Sequence, residues 1–183
     1  MEKLRPTLWR TCRAISDESR LKLLWRLMQE GEMSMTQLAK SVGLSAPNAS
    51  KHLRILNSRG LLKADRRGLY LFYSAEPNAG VDHAPELLEA LCTCQANAVS
   101  YSEVIRLATA FTHLRRVAIV RALKNAAMPE AALSIATHIS PESLYRHIRK
   151  LESRGFVKKE GERVWLEEQK KPLEKALLDA ALS

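Results

Sequence analysis

The chain has 183 residues, enough for one ordinary domain or two small ones, and its 29 Lys plus Arg against 20 Asp plus Glu leave a net charge of +9. That excess points to a polyanionic partner, because cations that neutralise phosphates release condensed counterions, and 46% hydrophobic residues exclude a disordered tail. The opening Met-Glu-Lys-Leu-Arg-Pro has no apolar signal core, no apolar run nears the roughly 18 residues of a spanning helix, and the odd set Cys12, Cys92 and Cys94 excludes a disulfide scaffold; a cytoplasmic protein without a membrane partner is expected.

Taken in order, residues 4–15 predict an opening helix with Leu4, Leu8, Trp9, Cys12 and Ile15 on one stripe. Ser16 or Asp17 then caps a second helix whose Leu21, Leu24, Trp25 and Met28 face a core, and Gly31 stops it. Thr36–Val42 predicts a short helix, Gly43-Leu44 a turn, and Ser45 the cap of a further helix with Pro47 in its first turn. In that helix Ala49, Leu53, Leu56 and neighbouring Ile55 share one side, Asn48, Ser50, Lys51, His52 and Arg54 point elsewhere, and Gly60 supplies a left-handed stop. Helix, glycine turn and capped second helix form a helix-turn-helix pattern. Two β-prone runs, 61–64 and 69–73, then flank Asp65-Arg66-Arg67-Gly68, which has the composition of a hairpin tip, or wing.

Residues 76–85, with two prolines and a glycine, predict a loop, and Pro85 or Glu86 opens a helix carrying Leu87, Leu88, Leu91 and Cys92 on one side. Beyond it the chain repeats itself at a shift of 95 residues. Ser45 falls on Ser140, His52 on His147, Arg54 on Arg149, and Ser58-Arg59-Gly60 on Ser153-Arg154-Gly155; Arg20 falls on Arg115 and Leu38 on Leu133. In this second copy Ser100 with Glu103 offers a capping box, Thr112 caps the next helix, and Leu114, Val117, Ile119, Val120 and Leu123 are its apolar positions. Ser140-Pro141 starts the counterpart of the helix at 46–59, runs 156–159 and 164–166 flank a tip at 160–163, and Pro172 opens a closing helix. The expected fold is mainly α with small β-hairpin wings: tandem winged helix-turn-helix domains over 1–95 and 96–183.

The combination of Ala14 to Leu24, Gln37-Leu38-Ala39, His52 to Leu56, Gly60-Leu61-Leu62 and Arg66 to Tyr73 resembles the ArsR-type winged-helix repressors, over roughly residues 4–96. The resemblance implies a helix that reads double-stranded DNA, a wing, and terminal helices for dimer formation, hence a sequence-specific transcriptional regulator. In such a motif the first two turns of the second helix reach base edges in the major groove. Ser45, Asn48, Ser50 and Lys51, with Ala46 and Pro47 by apolar contact, are the expected base readers, with His52 and Arg54 nearer the backbone and Arg66 and Arg67 on a phosphate strand or in the minor groove. The second copy offers Ser143, Tyr145, Arg146, Arg149, Lys158 and Lys159, but Glu142 and its acidic wing tip oppose phosphate, so the first copy should carry more of the affinity.

A fused repeat leads to an intramolecular pseudo-dimer, against the alternative of a homodimer built from first domains. The same resemblance raises metal or metalloid sensing. Three thiolates, Cys12, Cys92 and Cys94, suit a soft ion, although residues two apart on a helix diverge by about 200°, and the family's Cys-x-Cys on the first motif helix is replaced by Met33-Ser34-Met35-Thr36. Buried structural cysteines, no metal and no cofactor are therefore expected, and the polar loop group Asp82, His83 and Glu86 is read the same way. No nucleophile and base pair, Gly-rich phosphate loop or zinc-finger spacing predicts catalysis. A thiol- or metal-responsive repressor and a winged-helix protein-interaction module are the alternatives to a plain DNA-binding regulator.

Overall fold

The computed structural model describes residues 7–183. The chain runs α1 (Leu8–Ile15), α2 (Glu18–Glu30), β1 (Met33–Ser34), α3 (Met35–Ser41), α4 (Ala46–Ser58), β2 (Lys63–Arg67), β3 (Tyr70–Ser74) and α5 (Ala84–Ala96). It continues as α6 (Tyr101–Ala108), a 3₁₀ turn (Thr109–Phe111), α7 (Leu114–Ala122), β4 (Met128–Pro129), α8 (Glu130–Thr137), α9 (Pro141–Glu152), β5 (Val157–Glu160), β6 (Arg163–Leu166) and α10 (Pro172–Leu182). The molecule is mainly helical, with two small antiparallel sheets of order β1-β3-β2 and β4-β6-β5. Among the described residues no helix is long and apolar enough to cross a membrane. Leu4, expected on the opening helix, lies outside the described residues.

Helix boundaries follow local chemistry. Asp17 caps α2, its Oδ1 accepting from the Arg20 N–H at 3.0 Å, and Gly31 closes it at φ +79°. Ser34 and Gln37 form a reciprocal capping box that starts α3: Gln37 N–H donates to Ser34 Oγ and Ser34 N–H to Gln37 Oε1. Ser45 and Ser140 occupy the N-cap positions of α4 and α9 with Pro in the first turn of each, as expected, but neither hydroxyl makes a capping bond. Both helix starts rest on backbone geometry and proline. Gly60, at φ +75°, ends α4 as expected.

Several expected details differ. Asp65, Arg66 and Arg67 lie within β2 rather than at the hairpin tip; Arg67 pairs with Tyr70, so the turn is Gly68-Leu69, with Gly68 at φ +62°. Leu61 and Leu62 are buried in the approach to β2 rather than in the strand. Likewise Glu160 pairs with Arg163, leaving Gly161-Glu162 as the second tip. The cap of α7 is His113, whose Nδ1 accepts from Arg115 N–H at 3.1 Å, and not Thr112. Leu114, expected in the core, is 62% exposed.

One core cluster extends from Leu8 to Ala181 through both halves of the chain. Helix α1 packs on α6 and on the Thr109–Phe111 turn, and α5 lies along α10. Phe111 and Phe156 meet edge-on at 4.7 Å inside it, and Trp25 meets Tyr101 at 5.7 Å across the join. Two arginines, Arg20 half-buried and Arg116 buried, fix the turns that enter α2 and α7. Arg20 donates to the Ala14 and Arg13 carbonyls, and Arg116 donates to the Ala110 and Thr109 carbonyls and to Thr112 Oγ1. Arg116, and not Arg115 as the sequence shift pairs it, makes the bonds that Arg20 makes.

Gly60 packs against the loop that leads to α5. A Cβ there would sit 2.9 Å from Val81 Cγ2 and 3.2 Å from Ala84 Cβ, in a left-handed backbone. Gly60→Ala should therefore lose about 2 to 4 kcal/mol of stability. Gly43→Ala, at φ +69° with open space around it, should lose only about 1 to 2 kcal/mol. Urea unfolding of the two variants checks the difference.

Candidate nucleic-acid interface

Helix α4 buries Ala49, Leu53 and Leu56 and leaves Asn48, Lys51 and Arg54 exposed, with Ser45, Ala46 and Pro47 also in solvent. Ser50 is half-buried. A groove lined by Ser34, Thr36, Ser50, Arg54, Arg66 and Tyr70 separates the exposed side of α4 from the hairpin. Among the described residues no carboxylate pairs with Lys51, Arg54 or Arg66, although Arg66 Nε donates to Gly68 O at 3.4 Å. The wing tip beside them is apolar, Leu69 being 93% exposed.

Arg67 is differently placed. Its Nη1 and Nη2 donate to Glu32 Oε1 and Oε2 at 2.7 and 2.8 Å, its Nε donates to Asp65 Oδ2 at 2.8 Å, and its guanidinium lies 4.8 Å from the Phe72 ring centre. A fork held bidentately with a third bond is already neutralised. His52 likewise turns inward on the helix, with Nδ1 3.4 Å from Arg20 Nη1 and 3.9 Å from Asp17 Oδ1.

In the second half, α9 buries Leu144, Ile148 and Leu151 and exposes Glu142, Tyr145, Arg146 and Arg149, with Ser143 half-buried. Arg149 and Lys159 both lie over the Tyr145 ring, at 5.8 and 5.5 Å, and Arg146 Nη2 donates to Ser143 Oγ at 3.3 Å. Lys158 pairs with Glu167 at 3.0 Å and Lys159 with Glu130 at 2.7 Å. Both expected phosphate lysines of this hairpin are thus already bound to carboxylates.

The thiols do not form a ligand set: Cys12 and Cys94 are buried, Cys92 is exposed, and no cluster of three His, Cys, Asp or Glu among the described residues could hold a metal ion. Cys92 therefore faces solvent rather than joining Leu87, Leu88 and Leu91, and Cys94 takes the inward position. Burial pushes the Cys12 and Cys94 thiols above their ordinary range, and partial desolvation at the helix surface with the charge of Glu89 raises that of Cys92. His83 turns inward as well, its Nε2 hydrogen-bonded to Thr11 Oγ1 at 2.9 Å, and burial lowers its pKa against the opposing pull of Asp82 and Glu86.

A helix-turn-helix domain family matches residues 15–63, which run from the end of α1 to the start of β2. The chain is 32% identical over 77 residues to the cadmium resistance transcriptional regulatory protein CadC homolog of Staphylococcus aureus, covering 42% of this chain and 60% of that one. It is 30% identical over 65 residues to the arsenic resistance transcriptional regulator ArsR1 of Pseudomonas putida, covering 36% and 51%. With the HTH-type transcriptional regulator NmtR of Mycobacterium tuberculosis the identity is 30% over 103 residues, 56% of this chain and 76% of that protein. The chain belongs to the ArsR-type helix-turn-helix regulators. It spans 60% and 51% of the length of the CadC homolog and of ArsR1, and the helix-turn-helix match at 15–63 covers α2, α3 and α4.

A grouping that the sequence did not bring together completes the basic surface of this ArsR-type chain. His113 stacks on His147 with ring centres 4.8 Å apart and planes at 41°. Burial, His113, Arg116, Arg115 and Arg146 push the His147 pKa down to about 4, and burial with Arg116, Arg115 and Arg13 lowers that of His113. The adjacent pair Arg115-Arg116 was the available signal in the sequence; the stack itself, across 34 positions, was not.

Because the unfolded chain protonates these histidines near the ordinary value of 6.5 while the folded chain resists, stability should be complete above pH 6.5 and decline as pH falls toward 4. His147→Gln should remove part of that decline, so that the variant gains on the wild type as pH drops from 7.5 to 5. Urea midpoints at the two pH values check the sign.

Proposed function

We propose that this chain is a sequence-specific DNA-binding transcriptional regulator that represses by occupying its promoter. The observation that carries the reading is the outward face of α4, which exposes Asn48, Lys51 and Arg54; Ser50 and Arg54 line an open groove shared with Arg66, and among the described residues no carboxylate pairs with Lys51, Arg54 or Arg66. Asparagine matches the paired donor and acceptor of adenine, and the cations suit guanine edges or phosphates. In this reading α4 enters the major groove and the β2–β3 hairpin lies along the adjoining backbone. The names of the relatives, all transcriptional regulators, support it.

The finer proposal is that residues 96–183 form a second, divergent winged-helix copy and that the chain is an intramolecular pseudo-dimer. What supports it is the recurrence of helix, helix, short strand, two helices, hairpin and closing helix, with equivalent sheet orders. The packing of α1 on α6 and of α5 on α10 is further support, since these are the elements a pair of copies would share. A chain that remains a single copy at nanomolar concentration and binds duplex one to one fits this arrangement. A strictly dimeric species at every concentration contradicts it.

Charge pairing sharpens the expected asymmetry. Arg66→Ala should weaken duplex binding about five- to tenfold near 100 mM salt and lower the salt slope by about one. Arg67→Ala and the pair Lys158→Ala, Lys159→Ala should each change it less than about threefold, because their charges are spent within the protein. Fluorescence anisotropy with a labelled 30-base-pair duplex across a salt series measures all three. Negligible affinity of the wild type at low salt would remove the regulator reading, and a consensus selected from random duplexes would show which heads read bases.

A further inference from the structure

The junction between the two halves carries a basic patch that shares only His52 and Arg146 with the expected reading faces. It can be followed from one basic side chain to the next. His52 on α4 meets Arg20; Arg20 donates to the carbonyl of Arg13 at the end of α1; Arg13 is near enough to His113 to disfavour its protonation; and His113 stacks on His147 of α9. The patch therefore runs from one helix of the α4 and α9 pair to the other.

The charges that bear on its two imidazoles are all positive. Arg13 comes from α1, Arg115 and Arg116 from α7, and Arg146 from α9, and these are the charged groups that bear on the two imidazoles. Lys150 and Arg154 continue the patch and act on Arg116 and on each other, and among the described residues none of the six pairs with a carboxylate. The corresponding place in the first half is compensated: Asp17 caps α2, lies 3.6 Å from Arg20 Nη2, and faces His52. His113 stands where Asp17 would be, so one half has a carboxylate and the other a second imidazole. A cation would be repelled by four guanidiniums here, and an anion would relieve their mutual repulsion.

We infer that His113, His147, Arg13, Arg115 and Arg146 hold the phosphate backbone of the duplex segment lying between the two reading helices, and that one proton is taken up from solvent when it binds. The inference rests on the DNA-binding reading above. His113 Nδ1 is committed to the Arg115 N–H, so the proton goes to His147, whose imidazolium then faces phosphate oxygens rather than arginines alone. The phosphate supplies the counter-charge that the free protein lacks, and binding is linked to pH in the direction opposite to folding stability.

His113→Asp in the full chain is the deciding variant, because it installs the first half's own cap. Thermal stability should hold or rise, whereas affinity for a random 30-base-pair duplex at pH 7 should fall about tenfold and the salt slope by about one. Wild-type affinity should rise about tenfold from pH 7.5 to 5.5, a dependence that Arg66→Ala keeps and His113→Asp loses. The inference is overturned if His113→Asp matches the wild type in affinity, salt slope and pH profile. It is overturned too if millimolar inorganic phosphate alone moves the His147 ring resonances as fully as duplex does, which would make the site one for a free anion. A wild type without affinity for duplex at low salt would instead overturn the regulator reading itself.

Discussion

The outward surfaces of this molecule are positioned by the burial of α1 against α6 and the Thr109–Phe111 turn, and of α5 along α10. Cys12, Ile15, Leu87, Leu91, Phe111 and Leu177 are wholly enclosed there, and each such side chain withdrawn from water contributes on the order of 2 kcal/mol. The opening helix is only eight residues long, too short to persist by itself in water. Its place comes from what covers it. Arg20 and Arg116 then tie the ends of the preceding turns to α2 and α7, so that the helices bearing exposed polar faces leave the central layer at set angles.

Electrostatics divides the surface more finely than net charge does. Of the basic residues around the two hairpins, Lys63, Arg67, Lys158 and Lys159 are paired with carboxylates, and the Lys159–Glu130 pair ties the second sheet to α8. Exposed pairs of this kind add little stability, but they subtract cations from what an approaching polyanion meets. Among the described residues Lys51, Arg54 and Arg66 of the first half, and Arg13, Arg115, Arg116 and Arg146 of the junction, stay free of carboxylates. The same position serves opposite ends in the two halves: a carboxylate at Asp17 quiets its surroundings, and an imidazole at His113 leaves them charged.

The sequence made the helix-turn-helix legible because its signals are local: Gly43 and Gly60 in left-handed backbone, Pro47 in a first turn, and an apolar stripe at Ala49, Leu53 and Leu56. Where local rules compete, the reading slipped. Histidine is not among the strong capping residues, so Thr112 was expected where His113 serves, and the charged run Asp65 to Arg67 looked like a turn although an exposed two-residue loop at Gly68-Leu69 lets the strand continue through it. Arg67 looked available because its partner Glu32 is 35 positions away. The same holds for the Arg116 anchors and the stacked histidines, which depend on which helices meet and are invisible to periodicity.

Four residues, 97–100, connect α5 to α6. In the proposed pseudo-dimer so short a tether fixes the effective concentration of the second head near the first, whatever the number of molecules in the cell. Assembly would then be insensitive to dilution, and subunit exchange with related chains, the usual route to mixed regulators, would have no free partner to capture.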